Sequence, residues 1–181
     1  SKNAFDDESQ IYTIFTVSAG TSGVQRIENY TVGDQISNRT RIRISDADVA
    51  RTANVTDMST TAFKIKGKIT VTKPTLVTEP AWVAGNNPLI QWSKVGTIPT
   101  VKIDFSVDGG SNWTSVAGSA SGNAYNEWTI PDNMNTTLQG LVKVSDTSDA
   151  TVTDISDNQF VVEGDLVLSR PNVTDALVAN I

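Results

Sequence analysis

Residues 63–74, Phe-Lys-Ile-Lys-Gly-Lys-Ile-Thr-Val-Thr-Lys-Pro, recur as residues 160–171, Phe-Val-Val-Glu-Gly-Asp-Leu-Val-Leu-Ser-Arg-Pro. The phenylalanines, the glycines and the prolines of the two stretches each lie 97 positions apart. The match continues upstream, where residues 54–57 face residues 151–154 at the same spacing. A repeat of this length indicates that the chain is an array of similar modules.

The spacing also assigns the module boundaries. Residues 69–165 form one complete module of a common domain size. Residues 1–68 match only the later part of that module, so we expect a first module without its opening strands. Residues 166–181 match the beginning of the module, and they are either the start of a third repeat or a donated strand. This pattern predicts a piece of a longer polypeptide, whose first module is completed by more of the parent chain or by another chain.

The composition excludes several classes of function. The chain has 181 residues with no cysteine and no histidine. Disulfides, thiolate catalysis, a Ser-His-Asp triad and His-ligated metal centres are therefore impossible. The net charge of −6 argues against binding to nucleic acid, which needs clustered Lys and Arg, and against an anionic membrane surface. We therefore expect no enzyme activity, no nucleic-acid partner and no membrane insertion in this segment.

Short runs of alternating apolar and polar residues predict an all-β chain. In the complete module they predict seven strands, at residues 69–72, 89–92, 101–107, 113–116, 127–130, 141–144 and 159–162. Seven short strands separated by turn signals are typical of an immunoglobulin-like β-sandwich. We expect Trp92 in its core, and Lys102, Asp104 and Ser106 on the solvent side of the third strand.

The incomplete first module repeats three of these strands. Its apolar residues fall at the third-strand positions (Ile11, Phe15 and Val17), the fifth (Tyr30 and Val32) and the sixth (Ile42 and Ile44). The chain is therefore predicted to contain tandem immunoglobulin-like β-sandwiches.

A family resemblance rests on the order of these segments. The segments are Pro-Leu-Ile-Gln-Trp at 88–92, Val-Lys-Ile-Asp-Phe-Ser-Val-Asp-Gly-Gly-Ser-Asn-Trp at 101–113, Glu-Trp-Thr-Ile-Pro at 127–131, Val-Lys-Val-Ser-Asp at 142–146 and Ser-Asp-Asn-Gln-Phe-Val-Val at 156–162. This order resembles the tandem immunoglobulin-like or fibronectin type III-like modules of large bacterial and archaeal surface proteins. It is also similar to the immunoglobulin-like module of fungal cell-wall glucan-synthesis proteins. The resemblance implies extracellular display, stalks, surface layers or adhesion, and no catalytic residues.

Residues 106–113, Ser-Val-Asp-Gly-Gly-Ser-Asn-Trp, resemble the Asp-box hairpin of sialidase propellers. A carboxylate at Asp108 can cap turn amides, Gly110 can take a conformation closed to other residues, and Trp113 can fold under the turn. The first module has Ser-Ala-Gly-Thr-Ser in its place, at residues 18–22. We therefore interpret the motif as a structural hairpin.

One acidic loop in each module could bind calcium, which takes six to eight oxygen ligands. The candidate ligands are Asp46, Asp48 and Asp57 in the first module and Asp146, Asp149, Asp154 and Asp157 in the second. The alternative is that these residues form Asx-turns on a solvated surface. No other cofactor is expected.

Asn-x-Ser/Thr sequons mark candidate glycosylation sites. They begin at Asn29, Asn38, Asn54, Asn112, Asn135 and Asn172. Glycosylation at these positions would suit a secreted glycoprotein.

These patterns predict a non-enzymatic structural repeat segment of a large secreted cell-surface protein, in a surface layer, a stalk or a cell-envelope assembly. Its partners would be neighbouring repeats and copies of itself. The alternative is a carbohydrate- or protein-binding adhesion module, possibly appended to a polysaccharide-active enzyme, with glycans as partners. Trp82 and Tyr125 are the aromatic residues expected outside the core. Trp82→Ala would then abolish glycan binding, unless Trp82 covers the edge of the sandwich.

Overall fold

The computed structural model describes residues 16, 29–48, 55–76 and 78–166. Within these residues the chain is all-β and contains no helix, so the predicted structural class is confirmed. The chain divides into two compact units, Ser1–Gly67 and Lys68–Ile181, named unit 1 and unit 2 below.

The described part of unit 1 holds four short strands. They are β1 (Ser37–Thr40), β2 (Arg43–Ser45), β3 (Thr56–Met58) and β4 (Phe63–Ile65). β1 pairs with β4 and β2 pairs with β3, and both pairs are antiparallel.

The sequence-based strands of unit 1 need correction. Tyr30 and Val32 lie outside any strand and are exposed, so the fifth-strand prediction is wrong. Ile44 lies in β2, whereas Ile42 lies just before it, and Ser59 forms hydrogen bonds with both the N–H and the carbonyl of Ile42. The predicted third-strand residues Ile11, Phe15 and Val17 lie outside the described residues.

The described part of unit 2 holds nine strands. They are β5 (Lys68–Lys73), β6 (Trp82–Val83), β7 (Ile90–Val95), β8 (Thr100–Ser106), β9 (Thr114–Ser121), β10 (Ala124–Tyr125), β11 (Thr137–Asp146), β12 (Thr153–Ile155) and β13 (Phe160–Glu163). One sheet has the order β10-β7-β5 and the other β6-β13-β11-β8-β9, with β12 also on β11. All pairs are antiparallel except β6 with β13, which is parallel.

Alternating apolar side chains from both sheets form one core. The smaller sheet contributes Ile69, Val71, Ile90 and Trp92, and the larger contributes Val101, Ile103, Phe105, Val142, Val144, Phe160 and Val162. Period-two alternation sends these side chains to one face of each strand. The core position predicted for Trp92 is confirmed, since its side chain is buried.

An aromatic cluster fills one region of this core. The Trp82 ring lies 4.2 Å from Phe160 and 6.1 Å from Phe105, and Phe105 lies 5.2 Å from Trp128, between ring centroids. Trp82 is only 8% exposed, so the expectation that it lies outside the core is wrong. It begins β6, which pairs with β13, so its backbone lies at a sheet edge while its ring packs inward.

The predicted fifth strand of unit 2, residues 127–130, is not a strand. Its alternation is real, because Trp128 packs against the core and Ile130 is fully buried. The backbone of Ile130, however, bonds to a turn: its N–H donates to Asn86 O at 3.0 Å and its carbonyl accepts from Gly85 N at 2.9 Å. The strand that pairs with β7 is β10, just upstream.

Candidate functional site

The strand registers of the two units match pair for pair. The pairs in unit 2 are Thr137↔Val162, Gly140↔Phe160, Lys143↔Ile155, Val144↔Asp154 and Ser145↔Thr153. Those in unit 1 are Ser37↔Ile65, Thr40↔Phe63, Arg43↔Met58, Ile44↔Asp57 and Ser45↔Thr56. Adding 100 to the first residue and 97 to the second converts each unit 1 pair into its unit 2 counterpart. The connecting loop is therefore three residues longer in unit 1.

A serine clamps the middle of this strand system in both units. Ser156 accepts a hydrogen bond from Val142 N to its Oγ at 3.1 Å, and its own N–H donates to Val142 O at 2.9 Å. Ser59 makes the same two bonds with Ile42, at 3.2 and 2.9 Å. Ser156 begins one of the segments that carry the family resemblance, but the sequence predicted no role for either serine, although they lie 97 positions apart in the repeat. We name this arrangement the serine clamp.

Two further side-chain bonds recur beside the clamp. Thr56 Oγ1 donates to Ile44 O at 3.0 Å, and its counterpart Thr153 Oγ1 donates to Val144 O at 3.1 Å. Ser37 Oγ accepts a hydrogen bond from Arg39 N, and its counterpart Thr137 Oγ1 accepts one from Gln139 N. Such matching bonds identify the two units as copies of one strand arrangement.

The carboxylates of the calcium candidates accept hydrogen bonds within turns and between strands. Asp46 Oδ1 accepts from Asp48 N at 2.9 Å, and its counterpart Asp146 Oδ1 accepts from Ser148 N at 2.7 Å. Asp149 Oδ1 accepts from the N–H and the hydroxyl of Thr151. These are Asx-turns, in which the side chain satisfies a nearby backbone amide.

The remaining candidates are dispersed. Asp154 Oδ2 accepts from Val71 N at 2.8 Å, which connects β12 to β5, and its counterpart Asp57 is exposed in β3. Asp157 is exposed after β12. Within residues 29–48, 55–76 and 78–166, no three acidic side chains are close enough together to hold a metal ion.

The two units differ in the burial of equivalent apolar residues. In unit 2, Val142 and Val144 are 0% exposed, Val152 is 6% exposed and Phe160 is 3% exposed. Their counterparts in unit 1 are Ile42 at 49%, Ile44 at 73%, Val55 at 53% and Phe63 at 41%. The same strand register therefore presents a covered face in unit 2 and an open apolar face in unit 1. We name the latter the open face.

The Asp108 hairpin joins β8 to β9. Asp108 Oδ1 accepts from Asn112 N and from Ser106 Oγ, both at 2.8 Å, and Oδ2 accepts from Asn112 Nδ2 at 2.7 Å. Gly110 has a φ of 91°, and a Cβ there would lie 3.3 Å from the Trp113 ring. The three predicted residues therefore come together in one turn, with Asp108 as its acceptor and Trp113 beside Gly110.

The hydrogen bonds from Asn112 and Ser106 lower the pKa of Asp108 to about 2. Each of these bonds favours the charged carboxylate over the protonated form. The turn therefore keeps its acceptor ionised well below neutral pH.

A charged group lies on the outer face of the larger sheet. Asp104, expected on the solvent side, is instead 3% exposed, because Lys102 Nζ lies 2.8 Å and Lys143 Nζ 3.6 Å from its carboxylate oxygens. Lys143 Nζ also lies 4.2 Å from the centroid of the Trp113 ring. Ser106 is buried as well, where it binds the Asp108 turn. Sequence alternation shows the sheet face of a residue but not what covers that face.

Lys102, Asp104 and Lys143 border a shallow groove. It is also lined by Asp146, Ser145 and Thr153. Two lysines and two aspartates therefore balance in charge, and hydroxyl groups lie beside them. Chemically, the groove offers hydrogen-bond donors and acceptors to a polar ligand.

Four of the glycosylation candidates lie in the described chain. Asn29, Asn38, Asn112 and Asn135 are all exposed. Asn112 Nδ2, the atom that glycosylation modifies, donates to Asp108 Oδ2. Asn54 and Asn172 lie outside the described residues.

Within the part of the chain that the structure describes, no helix could span a bilayer. No protein-family model, curated protein or solved structure matches this chain.

Proposed function

We propose that this chain is a non-enzymatic structural segment of tandem immunoglobulin-like β-sandwich modules in a large secreted cell-surface protein. The observation that carries the proposal is the repetition, in both units, of one strand register together with its serine clamp. A module that repeats with the same internal hydrogen bonds is suited to an extended array in which each module is a spacer. A surface layer, a stalk or a cell-envelope assembly would use such a segment.

The strand order of unit 2 supports the immunoglobulin-like part of the proposal. The order β10-β7-β5 in one sheet and β13-β11-β8 in the other corresponds to strands E-B-A facing G-F-C. β5 and β6 belong to different sheets, as expected if they are the two halves of a first strand that crosses from one sheet to the other. Trp92 in β7 is a core residue of the second strand, whereas the buried Trp of antibody domains lies on the third strand.

The connection between the units supports the spacer role. β4 ends at Ile65 and β5 begins at Lys68, so two residues join them. A connection of two residues is at the short end of the usual range and leaves little slack in an array.

Immunogold labelling tests this proposal. Antibodies raised against the chain should label the outside of intact source cells, and protease added to those cells should remove the label. Labelling confined to the cytoplasm, with protease resistance in intact cells, would contradict the proposed location.

The groove beside Asp104 favours a second candidate, an adhesion module that binds glycans. Lys102, Ser145 and Thr153 would form hydrogen bonds with the hydroxyl groups of a sugar. Trp82 cannot serve as the glycan contact, because its ring lies in the core.

A glycan array with acidic and neutral sugars tests this candidate. Specific binding should weaken in Lys102→Gln and persist in the control Lys94→Gln. Lys94 lies in β7 on the other sheet, where its Nζ donates to Ile98 O. Absence of binding to every glycan on the array would rule the adhesion role out for this groove.

A further inference from the structure

The open face of unit 1 corresponds to a face that is covered in unit 2. In unit 2, β5 lies against both β11 and β12 and contributes Ile69 and Val71 to the core. A direct bond accompanies this packing, since Val71 N donates to Asp154 Oδ2 at 2.8 Å. The covering element of the module is therefore a strand with two inward apolar residues and one amide aimed at an aspartate.

The chain contains a second copy of that strand's sequence. Residues 165–171, Asp-Leu-Val-Leu-Ser-Arg-Pro, match residues 68–74, Lys-Ile-Thr-Val-Thr-Lys-Pro. Leu166 and Leu168 stand where Ile69 and Val71 stand in β5. Leu166 is 97% exposed, whereas its counterpart Ile69 is 3% exposed.

We propose that residues 165–171 of one chain add to the open face of unit 1 in a second copy of the same chain. Leu166 and Leu168 cover Ile42 and Ile44, as the β5 residues Ile69 and Val71 pack against β11, which carries the equivalent Val142 and Val144. The N–H of Leu168 donates to Asp57, as the N–H of Val71 donates to Asp154. This interaction goes beyond the spacer role, which does not require it.

The symmetry of the contact determines the assembly. The donating segment and the receiving face are different surfaces of the same chain, so the contact is heterologous. A dimer therefore keeps one unused donating segment and one unused receiving face. Such a contact yields open chains or rings, in which each unit 2 is followed by the unit 1 of the next copy.

Complementation between two variants of the full chain tests the proposal. Leu168→Asp disables the donating segment and Ile44→Asp disables the receiving face, since each places a charge at a proposed apolar contact. Sedimentation velocity should show wild-type chains associating with rising concentration. Each variant alone should associate about tenfold or more weakly. An equimolar mixture of the two should form a dimer that grows no further.

Controls separate this outcome from misfolding of unit 2 and from charge alone. Ser169→Asp adds the same charge at the counterpart of the exposed Thr72, and it should associate as wild type does. All four tryptophans lie in unit 2, so unchanged tryptophan fluorescence verifies that unit 2 is folded in each variant. A wild-type chain that stays monomeric, or a mixture of the two variants that stays monomeric, overturns the proposal. Neither result would affect the immunogold test of the spacer role.

Discussion

At the residue scale, Asp108 shows how one carboxylate organises a turn. It accepts from both the backbone and the side chain of Asn112, and these bonds lower its pKa to about 2 from an ordinary 3.8. A group whose pKa is depressed on folding stabilises the folded state above its unfolded pKa. That contribution is fully present above pH 3.8 and is lost as the pH falls through about 2.

We therefore expect Asp108→Ala to lower the urea midpoint of unit 2 at pH 7, because it leaves the Asn112 amide without its acceptor. The difference from wild type should shrink as the pH approaches 2. Tryptophan fluorescence during urea unfolding measures both, and Asp157→Ala, at an exposed position, is the matched control. A difference that is the same at pH 7 and pH 2 would contradict this assignment.

Gly140 shows how tightly the aromatic cluster packs on β11. A Cβ at this position would meet the Phe160 ring and the Phe160 carbonyl, both at 2.9 Å, whereas a Cβ at Gly118 would meet nothing within 4 Å. Gly140→Ala should therefore destabilise unit 2 by about 1–3 kcal/mol, through overpacking. Gly118→Ala should be neutral or slightly stabilising. Equal urea midpoints for the two variants would show that Phe160 can move aside.

The residue scale also shows the limits of sequence interpretation. The motif at Asp108, Gly110 and Trp113 could be identified because all of its bonds are local. The burial of Asp104 could not, because it depends on Lys143 from β11, a strand far away in the sequence. Periodicity assigns a residue to a face of a strand, and only tertiary packing decides whether that face is covered.

At the element scale, alternation predicted where side chains are buried better than it predicted strands. Trp128 and Ile130 do pack inward, yet their segment bonds to the turn at Gly85 and is not a strand. β6 was missed because it is two residues long and pairs in parallel with the distant β13. β12 was missed because only Ile155 is apolar in its three residues.

The serine clamp belongs to this scale, and it gives a matched pair of substitutions. Ser156 is buried and Ser59 is more exposed, while their bonds are the same. Ser156→Ala should cost about 1–3 kcal/mol, because it leaves the Val142 amide unpaired in the core. Ser59→Ala should cost less, because water can reach the Ile42 amide.

Hydrogen exchange at these two amides measures the effect. Faster exchange of Val142 in Ser156→Ala, and of Ile42 in Ser59→Ala, is the expected result. If neither amide changes its exchange rate, the serine hydroxyls do not hold these strands.

At the scale of the whole molecule, the repeat organises everything else. The sequence spacing of 97 predicted the module, and the sixth-strand prediction already placed Ile42 and Ile44 against residues 141–144. Strand pairing then gave the exact spacing of 100 on β1 and β2. The loop after β2 is three residues longer in unit 1, which accounts for the two spacings. Equivalent bonds, rather than equivalent letters, therefore give the strongest argument that β1–β4 repeat the pairing of β11–β13.

The central claim is that β1–β4 of unit 1 repeat the strand register of β11–β13 in unit 2, and cross-strand nuclear Overhauser effects in the full chain test it most directly. We expect contacts between Ile44 and Asp57, and between Ser45 and Thr56, with the pattern seen between Val144 and Asp154. A register shifted by one residue in unit 1, or the absence of these cross-strand contacts, would contradict the claim.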